Sequence, residues 1–320
     1  MNEARYREAE RRLWSSHGVT PIERRIHLAR NRVTVRIQEV GDGPPVVFVH
    51  GANTSGVSWA SLTARLAAFR CIVVDRPGTG LSDALSDRLD ARRMASFADT
   101  FVADVFDALG LHSGDVVATS LGGYIALRSA AAFPDRVRRM VQFSWPVGAP
   151  IAWLPSFMRV MSVPGVGRAI ASIPPSDRTV RTTFRRIGHG PSLDAGRITK
   201  EDIAAYLALL RDTDTMRNEL GPARVFVSAR RGLNRMLLPD ATLALVTAPT
   251  LFLWGENDPF GGPQTARDLV KRLPNATLEI LPGAGHAPWL DDVDGCAASV
   301  AGFLASIPRA RDRTVGVDIA

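Results

Sequence analysis

The chain has 320 residues, 46% of them apolar and 22% charged, and a net charge of +7 from 39 Lys plus Arg against 32 Asp plus Glu. That length buries a sizeable core, as one large domain or two smaller ones, and the proportions are those of an ordinary globular protein. Cys71 and Cys296 are the only cysteines, which excludes a disulfide framework and leaves no spacing suited to a structural metal.

The opening stretch, MNEARYREAERRLW, is charged throughout and has no apolar core of signal-peptide length. No later run approaches the roughly 18 apolar residues of a membrane span. A cytoplasmic, reducing compartment is the expectation. Residues 3–16 read as an amphipathic helix with Tyr6, Leu13 and Trp14 on its apolar side. IERRIHLA and VTVRIQEV alternate as a hairpin with one wetted face. After the turn GDGPP, VVFVHG is a short apolar strand. CIVVD (71–75), DVVATS (115–120) and VRRMVQFS (137–144) are further strands, separated by helices over 96–110 and 121–133. Continuously apolar strands alternating with helices predict a mostly parallel sheet covered on both faces, an α/β fold.

The rhythm breaks at Trp145. Six prolines between 146 and 175 punctuate a stretch that becomes helical around 200–216. Alternation resumes with PTLFLWGEND (249–258), a helix over 265–273, ATLEIL (276–281) and a last helix over 292–305. Residues 146 to 246 therefore read as a mostly helical insert after the sixth of eight strands. Between Ile151 and Val246 stand 14 Arg plus Lys against 8 Asp plus Glu. These arginines are not interleaved with aromatics and no recognition helix appears, so nucleic acid is not an expected partner. A solvated surface, or attraction for an acidic substrate, accounts for them.

A lone Ser120 sits between the strand DVVAT and the helix LGGYIAL. Serine there is commonly a helix cap; partners elsewhere are needed to make it a nucleophile. Asp258 follows the strand TLFLWG, and His286 lies in the glycine-rich loop PGAGHAPW. With these on view, the chain resembles the α/β-hydrolase superfamily over residues 24–306. The strand-HG motif, DRPGTGLSD, the serine elbow, GENDP and GAGHAPW occur in that family's order. One position departs from it: Ala118 replaces the first glycine of G-x-S-x-G.

The resemblance implies a hydrolase core over 24–145 and 247–306, a helical cap or lid over 146–246, a separate N-terminal helix over 1–23 and a loose tail over 307–320. It implies a triad of Ser120, His286 as base and Asp258 as its orienting acid, rather than Glu256. It also implies an oxyanion hole from the N–H groups of Leu121 and Ala52. His50, Asn53, Trp145 and Trp289 are candidate pocket residues, with His50 also suited to shaping the oxyanion loop. Asp75 is expected to fix a turn and His189 to lie on the surface. Serine, unlike the aspartate of related haloalkane dehalogenases and epoxide hydrolases, points to acyl transfer. A basic insert argues against the proline iminopeptidase-like members.

The expected activity is thus carboxylesterase-type hydrolysis of a medium-sized, largely hydrophobic small molecule, without cofactor or metal. The alternatives are a C–C bond hydrolase of a diketone-type metabolite, a thioesterase, and, from another class, a catalytically silent binding protein. The expected state is a monomer or homodimer.

Overall fold

The computed structural model describes residues 2–87, 89–149, 172–228, 232–233 and 238–306, and residues 151, 159–160, 162–163, 165–166 and 169 between them. The proposed tail, 307–320, and most of the apolar run AWLPSFMRVM lie outside the described residues.

Eight strands form the main sheet: β1 (Ile22–Leu28), β2 (Val33–Val40), β3 (Pro45–Val49), β4 (Arg70–Val74), β5 (Gly114–Thr119), β6 (Val137–Phe143), β7 (Thr250–Gly255) and β8 (Ala276–Leu281). Their order is β1-β2-β4-β3-β5-β6-β7-β8. Only β2 runs against its neighbours; the strands from β4 to β8 are parallel. Parallel strands end at one common edge, and the loops leaving β3 to β8 gather there.

Both faces are covered, which is why β5 and β7 are buried along their whole length. Alternation sends Val47, Ile72 and Val116 into one core with α2 (Ala91–Ala108) and α3 (Ser120–Ala132). Phe48, Val73 and Val117 enter the other, with Trp59 and Val300 of α8 (Val293–Ser306). Helix α2 begins five residues before the sequence suggests, because the Asp90 carboxylate accepts the Arg93 N–H as an N-cap.

The hairpin departs from expectation. The polar face of β2 is not wet: α1 (Glu3–Ser16) lies over it, and Glu10 of α1 pairs with the buried Arg36. Arg36 also meets Asp75 at 2.8 Å, and Gln38 donates to Glu10. Alternation marked the two faces correctly but could not show that a helix with a buried carboxylate would cover the polar one.

Between β6 and β7 stand α4 (Asp177–Phe184), α5 (Lys200–Asp212) and α6 (Thr215–Phe226), with α7 (Pro263–Val270) following β7. A capping box of Thr199 and Asp202 starts α5. The single helix expected over 200–216 is broken after Asp212. There Thr213 turns extended, donates its hydroxyl to Leu209 O and accepts the Thr215 N–H, the competition with helical bonding typical of threonine. Helix α1 packs against α5, and the Asn2 N–H donates to Asp212 O. Among the described residues, no helix is long and apolar enough to cross a membrane.

Candidate active site

β5 gives way to α3 with no intervening residue, and the turn is made by Ser120 itself, whose φ is +53°. A non-glycine residue in the left-handed region costs on the order of 1–3 kcal/mol and persists only where its surroundings hold it. Two glycines let α3 come close. A Cβ on Gly122 would lie 2.1 Å from Val49 O, and one on Gly123 would lie 2.2 Å from the Gln142 side chain. Ala118, in place of the family's first glycine, is fully buried in β5. The Ser120 hydroxyl makes no hydrogen bond among the described residues, so it does not cap the helix. Its carbonyl accepts the Val147 N–H at 3.1 Å.

Asp258 stands just beyond β7 and is 4% exposed. Its Oδ2 accepts from His286 Nδ1 at 2.9 Å and from the Trp145 N–H at 3.1 Å; its Oδ1 accepts the Phe260 N–H at 2.9 Å. The carboxylate thus fixes which imidazole nitrogen carries the proton and leaves Nε2 bare to accept one. Phe260 meets the edge of the His286 ring, with centroids 4.5 Å apart. Glu256 is exposed and accepts the Gly283 N–H instead. The structure therefore joins Asp258 to His286. It does not hydrogen-bond His286 Nε2 to the Ser120 hydroxyl, a contact that commonly tightens only when substrate binds.

The loop after β3, His50–Asn53, approaches the serine: a Cβ on Gly51 would lie 3.1 Å from Ser120 Cβ. Ala52 is exposed, and its N–H makes no hydrogen bond among the described residues. The Leu121 N–H lies in the first turn of α3, where no intrahelical acceptor exists. Two free N–H groups on the segments flanking Ser120 are what a developing oxyanion requires.

His50 is fully buried. Its Nδ1 donates to Gly51 O at 2.8 Å while Nε2 accepts the Arg76 N–H at 3.0 Å. Burial, reinforced by the nearby Arg76 charge, pushes its pKa well below the usual histidine range. Its two ring nitrogens tie the loop after β3 to the turn after β4. Asn53 is exposed with φ +54°. Trp145 is 1% exposed, donates to Ala149 O and stacks on Phe260; Trp289 is 4% exposed, donates to Ser58 O and stacks on Trp59. Both tryptophans are buried and packed against aromatic rings. Asp75 accepts the Gly56 and Leu81 N–H groups and so fixes the turn after β4.

His189 overturns the expectation of a surface residue, since it is fully buried. Its Nδ1 bonds Asp291 Oδ2 at 2.8 Å, and its Nε2 accepts the Ala287 N–H at 3.2 Å. Asp291 also accepts the Gly285 N–H and the Ser192 hydroxyl, and the His286 N–H donates to Ile187 O. The turn 187–192 of the insert thus grips the loop that carries His286. Gly188 makes the approach possible: its φ is +95°, and a Cβ there would lie 2.7 Å from Asn257 O. Glycines on both sides of the histidine, in GHGP, were the only local signal of this fit. Among the described residues no cluster of three or more metal-ligating side chains occurs.

This arrangement matches a known fold. A family model for the alpha/beta hydrolase fold aligns with residues 44–293. The chain belongs to the alpha/beta hydrolase fold family. Among relatives of this hydrolase, a 2-hydroxy-6-oxononadienedioate/2-hydroxy-6-oxononatrienedioate hydrolase of Burkholderia vietnamiensis is 28% identical over 80% of this chain and 85% of its own. A pimeloyl-[acyl-carrier protein] methyl ester esterase of Nitrosomonas europaea is 30% identical over 80% of this chain and 94% of its own. In solved structures, the hydrolase fold is shared with carboxylesterase CesB of Bacillus subtilis, at a TM-score of 0.73 and 21% identity over 96% of this chain and 99% of that one.

Proposed function

We propose that this hydrolase uses Ser120 as nucleophile, His286 as base and Asp258 as orienting acid, and that it cleaves a carbon–carbon bond beside a ketone in a diketone-type acid. The His286–Asp258 pair, and the strained Ser120 at the end of a parallel strand of the same sheet, support the first part. The likeness to hydrolases named for 2-hydroxy-6-oxo dienedioates supports the second, ahead of the ester hydrolysis expected from the sequence. In this reading residues 146–246 form the cap over the strand ends, and their surplus of cations suits a substrate with a carboxylate end.

The steps follow from the groups present. His286 Nε2 takes the hydroxyl proton as Ser120 Oγ adds to the ketone carbon. The carbonyl oxygen, now anionic, is held by the Ala52 and Leu121 N–H groups. The substrate reacts as its 2,6-diketo tautomer, in which C5 is saturated and has gained the proton lost by the 2-hydroxyl. When the carbonyl at C6 re-forms, the C5–C6 bond breaks and its electron pair passes into the adjoining enone. The resulting dienolate receives the proton from His286. Water, deprotonated by the same imidazole, then releases the acid from Ser120.

A fluorophosphonate should label Ser120, and Ser120→Ala should abolish labelling. A synthetic 2-hydroxy-6-oxo-6-phenylhexa-2,4-dienoate, a ketone, followed by loss of its absorbance, should be turned over at least ~100-fold more efficiently than p-nitrophenyl butyrate. The reverse preference would return the assignment to ester hydrolysis, the reading that the 30% identical methyl ester esterase favours.

A further inference from the structure

The oxyanion loop is held from two sides, and one of them is the insert. A trans peptide is planar, so its carbonyl and its N–H point in opposite directions. The Ala52 N–H belongs to the same peptide unit as the Gly51 carbonyl. That carbonyl accepts from Arg76 Nη2 at 2.8 Å, His50 Nδ1 at 2.8 Å and the Thr54 hydroxyl at 2.9 Å. Three donors on the oxygen fix the plane, and with it the direction of the Ala52 N–H. Donation to the carbonyl also polarises the unit and strengthens its N–H as a donor.

The next peptide unit is fixed by a residue 166 positions away. The Asn53 N–H donates to Glu219 Oε2 at 3.0 Å. Glu219 sits on α6, is 5% exposed, and pairs with Arg76, which is 4% exposed, at 3.1 Å. Further contacts seat α6 against the loop after β4: Asn218 Nδ2 donates to Gly78 O, and the Gly80 N–H donates to the Thr215 hydroxyl. A carboxylate this near a developing negative charge would oppose catalysis if it were unpaired. Arg76 neutralises it through both oxygens, and Oε2 accepts from Arg76 Nη2 and the Asn53 N–H together.

We propose that Glu219, paired with Arg76, is a positioning residue for the oxyanion hole, so that the insert completes the hole and does more than cover it. The inference rests on the serine-hydrolase reading above. Glu219 holds the Asn53 N–H, Arg76 holds the Gly51 carbonyl, and Ala52 is suspended between the two. Asn53, with its positive φ, is the strained residue of this loop, and Glu219 supplies the bond that keeps it so.

The test needs no physiological substrate. The second-order rate of fluorophosphonate labelling reports phosphoryl oxygen in the hole, and the affinity of phenylboronic acid reports a tetrahedral adduct there. Wild-type protein that fails to label at Ser120 defeats the underlying reading, whatever Glu219 does. With labelling established, Glu219→Met, which keeps bulk and removes the acceptor, should slow labelling ~10- to 100-fold and weaken phenylboronic acid in step, toward the loss seen for a deleted oxyanion donor. Glu219→Gln, which keeps an acceptor for Asn53, should recover most of that loss. Met and Gln variants that fall alike would reduce Glu219 to an ion-pair strut, and a folded Met variant that labels at the wild-type rate overturns the proposal. Should the Met variant not fold, Glu219→Asp decides. It keeps the charge and draws the oxygen back from Asn53, so its labelling should slow several-fold, and an unchanged rate overturns the proposal equally.

Discussion

Two loops of this molecule present a histidine whose Nδ1 meets an aspartate oxygen at almost the same distance, 2.9 Å for His286 and 2.8 Å for His189. Their other nitrogens differ. His286 keeps Nε2 without a hydrogen bond among the described residues, and its side chain is 11% exposed. His189 has Nε2 closed by the Ala287 N–H and no exposure at all. The same pair of groups thus leaves a nitrogen able to take a proton in one place, as the proposed mechanism needs, and is a rivet in the other. What separates them is whether the second nitrogen is spent on the backbone, not the histidine–carboxylate bond.

Substitutions can break this contrast. The largest effect is expected at His286: on the proposed mechanism, replacement by Ala should lower kcat by about 10⁴- to 10⁶-fold with the fold intact. Asp258→Asn should follow at ~10⁴-fold, because the wrong tautomer is then favoured. His189→Ala should cost only about 10- to 100-fold, through a displaced His286 loop, together with a lower melting temperature. Equal kinetic losses at His189 and His286 would erase the distinction. Gly188→Ala tests the fit that lets the insert reach this loop. With φ +95° and a carbonyl oxygen in the way, it should destabilise by ~1–3 kcal/mol in urea unfolding.

A third histidine sharpens the comparison by pH. His50 has its pKa held well below the usual value by burial and by Arg76. The folded state therefore resists a proton that the unfolded chain takes up below about pH 6.5. His50 brings no penalty above that pH and a growing one below it, at most ~1.4 kcal/mol per pH unit. Unfolding of wild type and His50→Asn at pH 7 and pH 5 should show the steeper acid loss in wild type.

What the sequence made legible was local. Branched apolar runs marked the parallel strands, and the order of Ser120, Asp258 and His286 pointed to the family, because each of these follows a strand of its own. The break of the helix at Thr213 was less visible, since Thr, Asp and Thr there suit a helix surface nearly as well as a turn. The contacts that tie the insert to the site were not visible at all. Glu219 finds Asn53 and His189 finds Asp291 across 166 and 102 residues, and no periodicity encodes such pairings. Nor did alternation along β2 reveal that Arg36 would be buried, since its partner Glu10 belongs to a helix read as a separate unit.

That N-terminal helix lies ahead of the family's matched span, which starts at residue 44, yet it is wired into both halves of the molecule. Glu10 neutralises Arg36 inside the core, and the first turn meets α5 of the insert. A version of the protein trimmed to begin at the family boundary would lose Arg36 along with β1 and β2. One trimmed only to residue 18 would leave Arg36 paired with Asp75 but without Glu10 and the helix that covers it, and would cut the insert loose from one of its moorings.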